Sequence, residues 1–439
     1  MFIRKNVTPP IPAFSCAALL TTALLTAGCA GSSDAKSGAG QPSSSATPHG
    51  YVEGAAEAAE QQSRLLLADS GTGDTRVLDL ITGELHETAS RSGVTDLTTD
   101  GRFGYFQAAD GTQVLDGGAW MVDHGDHVHY YSARIQQVGE FPSDTGTGSG
   151  TGSGSGTVEG SGTGTDTGMR IRSDAGVTVV TAADGTADVY PRADLEKADL
   201  GTPDRLPGSY AGAVVPYAEH LVALVRDGDD PAKAVVLDRS GTRVATLPSA
   251  CEQPQGDAVT RRGIVLGCAD GALLVREDDG TFTAEKIPYG EDVPKPERAT
   301  GFRYRPGSTT LTAPAGKDAV WVLDVTERAW TRVETGPVVA ANTAGEGAPL
   351  VVLETDGALH GYDVSTGERT TVTERLLTDD LKAVAGDAAT PVIEIDRSRA
   401  YLNDPAGKRV YEIDYNDSLR VARTFDLDIR PSLMVETGR

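Results

Sequence analysis

The sequence predicts an all-β chain folded as a single β-propeller of seven or eight blades, eight being the preferred number. The composition is the first observation behind this. Hydrophobic residues make up 39% and aromatics 5%, beside 52 glycines in 439 residues, which suits many short strands joined by turns and excludes a helical bundle, a collagen and a polytopic membrane protein. The second is a repeated unit in which an apolar run leads into an aspartate-led turn and then another strand. It reads Val77-Leu78-Asp79-Leu80-Ile81-Thr82-Gly83-Glu84, then Ala234-Val235-Val236-Leu237-Asp238-Arg239-Ser240-Gly241, and recurs around Asp324 and Asp363. The third is an Asp-Gly hairpin signal at Asp100-Gly101, Asp184-Gly185, Asp270-Gly271 and Asp356-Gly357. Units of this size cannot bury both faces alone and must stack around a ring. The roughly 350 residues available give about 44 per blade for eight blades or 50 for seven. A pair of β-sandwiches is the structural alternative, and the internal repetition counts against it.

Along the chain, residues 1–28 read as a secretory leader, with Arg4 and Lys5 ahead of an apolar stretch at 13–27 that is short for a membrane span. The stretch closes on Leu25-Thr26-Ala27-Gly28-Cys29, which resembles a bacterial lipobox, and this makes Cys29 the expected lipidated N-terminus, anchored to the outer face of the cell membrane. Residues 29–63, rich in Ser, Gly, Ala and Gln, are expected to be a flexible tether, and 64–439 the propeller. Within it, 143–168 alternates Gly with Ser and Thr and reads as an inserted spacer. The formal net charge is −24, or −26 once Arg4 and Lys5 leave with the leader. This argues against nucleic acid as a partner and fits an extracytoplasmic, monomeric protein. With Cys16 in the leader and Cys29 lipidated, Cys251 and Cys268 remain, and an exported pair is expected to form a disulfide.

Three of the seven histidines fall in Asp123-His124-Gly125-Asp126-His127-Val128-His129. On a strand, His127 and His129 share a face, and a turn at Gly125 brings His124 beside them. Three imidazoles converging on one point suit Zn2+, with copper and nickel as chemical alternatives. The expected fourth ligand is a carboxylate, Asp126, or water, and His220 is the alternative from another blade. Asp123 is a further candidate, as ligand or as the group that holds a ring tautomer. His360 reads as a structural strand histidine, and His49 and His86 as surface residues. The chain has no nucleophile-elbow, zinc-protease or Walker-type motif, so no enzymatic activity is expected.

Beyond this reading, His124-Gly125-Asp126-His127-Val128-His129-Tyr130, Gly267-Cys268-Ala269-Asp270-Gly271 and the C-terminal run Val410-Tyr411-Glu412-Ile413-Asp414-Tyr415 resemble the AztD-type zinc metallochaperones. The resemblance implies an exported propeller that captures zinc on its histidine motif and hands it to the solute-binding protein of a zinc ABC transporter. The chain departs from that pattern at Tyr210-Ala211-Gly212 and Gln255-Gly256, where relatives place a histidine before glycine. The alternative function is a lipid-anchored interaction scaffold with incidental or structural metal. A third reading, a propeller enzyme using a channel-bound metal, needs acidic ligands that the sequence does not single out.

Overall fold

The recurring aspartate builds a recurring turn. Asp79 Oδ1 accepts the amides of Ile81 and Thr82, both at 3.0 Å, and Asp363 Oδ1 accepts those of Ser365 and Thr366 at 2.8 and 2.9 Å. Four residues on from each, Gly83 and Gly367 take φ of +75° and +71°, the left-handed conformation that glycine adopts without steric penalty. At the Asp324 turn the same position is held by Arg328 with φ of +55°, so the aspartate hydrogen bonds suffice to set the turn there. The Ser365 hydroxyl and then the turn amides hold the Asp363 carboxyl below its ordinary range.

The computed structural model describes residues 50–124, 127–143, 169–290, 292–378, 381 and 391–439. The leader, Cys29, Gly125, Asp126 and residues 144–168 of the spacer lie outside them. Among the described residues the strands form nine antiparallel sheets, seven of four strands and two of three. Most are meanders of consecutive strands, such as Val215–Tyr217, His220–Val225, Ala232–Leu237 and Arg243–Cys251. One sheet joins the two ends of the domain: the C-terminal strand Leu433–Thr437 pairs with Arg64–Ala68, Leu65 opposite Glu436 and Leu67 opposite Met434.

Strand alternation shows how the sheets stack. Leu66 and Ala68 pack with Phe106 and Leu115 of the next sheet, while Leu65 and Leu67 pack with Tyr401 and Val410 of the last. Leu221 and Ala223 likewise face Val179 and Val189, whereas Val222 and Leu224 face Ile264 and Leu266. Both of these sheets are therefore apolar on both faces, the last sheet packs on the first, and the architecture is a β-propeller; a sandwich would bury only one face of each sheet.

Polar fastenings cross the same seams. Cys251 and Cys268 form the expected disulfide, with Cα atoms 5.2 Å apart, and it links the last strand of one sheet to Gly263–Cys268 of the next. Arg192, in the short helix Arg192–Leu195, makes a buried ion pair with Asp100 of the neighbouring sheet. The Tyr105 hydroxyl donates to the same carboxylate at 2.6 Å, and the guanidinium lies over the Phe103 ring, 4.5 Å from its centroid. Burial alone would raise the Asp100 carboxyl, but Arg192 and these hydrogen bonds hold it down to about 2.

One expected boundary is refined. The tether was expected to run through residue 63, but Ala56–Ala58 within that span forms a strand paired with Val128–Ser132. The histidine motif, moreover, is not a strand of the ring. It belongs to a separate hairpin, Ala119–Asp123 with Val128–Ser132, inserted between the third and fourth strands of the sheet built from Val94–Thr99, Phe103–Ala108, Gly111–Asp116 and Gln136–Pro142.

Candidate metal centre

The hairpin is anchored at its base. Arg64 donates from Nη1 to the carbonyls of Gly117 and Ala133 at 2.7 and 3.3 Å, bracketing both ends of the insertion. Above that, Trp120 stacks on Tyr131 with centroids 5.4 Å apart. The Arg102 guanidinium covers the indole at 3.7 Å, and the indole N–H donates to the Gly50 carbonyl at 3.1 Å. Aromatic and cationic groups thus make the base rigid, while the polar, glycine-containing tip carries the imidazoles.

At the tip, the His124 amide donates to the His127 carbonyl at 2.9 Å, closing the hairpin and setting those two residues opposite one another. His127 precedes the strand and His129 lies within it; being two apart, they present the same face. The three rings meet: centroids are 4.9 Å apart for His124 and His127, 5.4 Å for His124 and His129, and 4.9 Å for His127 and His129. One nitrogen from each falls within 4.8 Å of the others. His124 and His127 are exposed and His129 half-buried. The arrangement offers a divalent cation of borderline softness three nitrogen donors at a surface where a fourth ligand can exchange.

A carboxylate that sequence reasoning missed completes the group. Glu57, on the strand Ala56–Ala58, lies with Oε1 2.7 Å from His129 Nδ1. With the proton on Nδ1, His129 donates to this carboxylate and keeps Nε2 as its ligating nitrogen, the usual way a carboxylate orients a metal-binding histidine. The sequence signal was slight, an acid between alanines in a stretch read as tether, and its partner is 72 residues away.

The other candidates fall elsewhere. Asp126 lies outside the described residues. Asp123 points to Arg261 Nη2 at 3.7 Å and Arg397 Nη2 at 4.0 Å, which ties the hairpin to turns that follow the first strands of two other sheets. The alternative fourth ligand, His220, does not join the group: its Nδ1 lies 2.8 Å from the Ala218 carbonyl and its ring packs edge-on against Phe282 at 5.1 Å. His220 opens a strand of a different sheet, where the local backbone satisfies it. His360, read as a structural strand histidine, lies with Glu354 and Asp356 in a second group of side chains that could hold a metal ion.

No family model and no curated protein matches the sequence. Solved structures do. The crystal structure of Citrobacter koseri AztD superposes with a TM-score of 0.67 at 19% identity, over 86% of this chain and 98% of that one. The apo form of AztD from the same organism gives 0.66 at 17% identity with the same coverage. The dihydro-heme d1 dehydrogenase NirN in complex with DHE gives 0.50 at 15% identity, over 85% of this chain and 75% of that one. At such identities the likeness is one of fold, and the chain has an AztD-type fold.

Proposed function

We propose that this protein is an extracytoplasmic zinc metallochaperone. The observation that carries the reading is the convergence of His124, His127 and His129 at an accessible hairpin tip. The AztD-type fold and the resemblance of the histidine motif to the AztD-type zinc metallochaperones support it. Zinc is here cargo. The three neutral imidazoles capture it, Glu57 keeps the His129 ring oriented, and the fourth position is left for water or an incoming ligand.

Delivery follows from accessibility. An acceptor side chain must bind the ion before a donor leaves, and the exposed His124 and His127 permit such an associative exchange, whereas a closed four-ligand site would retain its metal. The acceptor class is the solute-binding protein of a zinc ABC transporter, and no covalent chemistry is required. In this reading the chain is exported, anchored through Cys29 and tethered by the residues before Gly50. The disulfide between Cys251 and Cys268 fits an oxidising compartment.

Transfer is the test. Zinc-loaded protein mixed with the apo solute-binding protein and excess chelator is expected to load the acceptor faster than the chelator strips the donor. Zinc appearing in the acceptor only at the rate of free dissociation would reduce the protein to a store or a scaffold.

A further inference from the structure

We propose that Glu354, Asp356 and His360 form a second site for a divalent cation, one that takes mixed oxygen and nitrogen ligands as zinc and manganese do. The three sit on one hairpin: Glu354 ends the strand Leu350–Glu354, Asp356 lies in the turn, and His360 is on the returning strand Leu359–Tyr362. His360 Nε2 stands 3.1 Å from Asp356 Oδ2 and 3.6 Å from Glu354 Oε2. Tetrahedral ligands at about 2.1 Å from an ion stand about 3.4 Å from one another, so His360 Nε2 already stands near that spacing from both carboxylates, and all three donor atoms lie within 4.8 Å of one another.

The charges favour an ion over a purely structural contact. Glu354 is 6% exposed and His360 3%, and among the described residues no Arg or Lys lies within 4 Å of either carboxylate. One oxygen of Glu354 is taken: Oε1 accepts from the Tyr362 hydroxyl at 2.5 Å and the Gly336 amide at 3.0 Å. These donors occupy Oε1 and leave Oε2 facing His360. A divalent cation neutralises both acids at once, and the half-exposed Asp356 side chain, 56% accessible, opens the site to solvent.

The experiment uses the full chain carrying His124→Ala, His127→Ala and His129→Ala, titrated with zinc by competition and with manganese(II) by electron paramagnetic resonance. One saturable equivalent is expected to remain, and adding Asp356→Asn or His360→Gln is expected to weaken it at least about tenfold. Asp356 is exposed enough that its variant folds even where a His360 substitution does not. Absence of saturable binding in the triple-histidine background, or binding that Asp356→Asn leaves unchanged, overturns the proposal. Failure of zinc transfer to an acceptor leaves this residual equivalent in place, so the chaperone reading and the second site fall separately.

Discussion

His127→Ala and His129→Ala are each expected to weaken zinc binding by more than about 100-fold, measured by competition against a chromophoric chelator. An outer-sphere change at a metal site costs about 10–100-fold, and these substitutions remove a primary ligand from a set of three. Glu57→Gln is expected to lose only about tenfold, because it replaces the carboxylate that orients His129 without removing an imidazole. The order of effects is the informative part. Wild-type affinity in both histidine variants would remove the hairpin from the account, and a Glu57 effect as large as theirs would make Glu57 a ligand.

Arg192→Leu is expected to destabilise the propeller by about 3–5 kcal/mol in urea unfolding, the range for removing one partner of a buried ion pair. Both side chains are about one-tenth exposed or less, and the variant strands the Asp100 carboxylate between two sheets. The double variant Asp100→Asn with Arg192→Leu is expected to regain a large part of the loss, since no buried charge is then left unpaired. The acid limb follows with a definite sign. The Asp100 carboxyl is lowered from 3.8 to about 2 in the folded protein, so its contribution is present above about pH 4 and is lost as the pH falls towards 2. That part of the acid sensitivity is expected to disappear in the double variant, and a loss below about 1 kcal/mol for Arg192→Leu would show the seam to be held by packing alone.

These seams mark the limit of what could be read in the chain. The propeller was legible because its turns are local: Asp79 and Asp363 bond amides two and three residues away, and such spacing survives in sequence. The histidine group was legible for the same reason, its three imidazoles lying within six residues. What joins distant segments was not. Glu57 meets His129 only because Ala56–Ala58 adds to the edge of the hairpin, and the closure of Leu433–Thr437 on Arg64–Ala68 spans nearly the whole domain. The pairing of Asp100 with Arg192 depends on which sheets become neighbours.

The second acidic and imidazole group lies between these cases. Glu354, Asp356 and His360 are close in sequence, but reading them as a set requires the hairpin register that puts Val352 opposite His360 and Leu353 opposite Leu359. Without that register His360 is one more histidine on a strand. His220 illustrates the converse, a residue attractive in sequence whose strand belongs to another sheet and whose ring is satisfied by the Ala218 carbonyl.

The most direct measurement is X-ray absorption at the zinc edge on protein carrying one equivalent of zinc and no affinity tag. The account predicts three imidazole nitrogens at about 2.0–2.1 Å with one further light ligand, falling to two imidazoles in His124→Ala. A first shell dominated by carboxylate oxygens, or three imidazoles that persist when His124, His127 and His129 are all replaced, would contradict it.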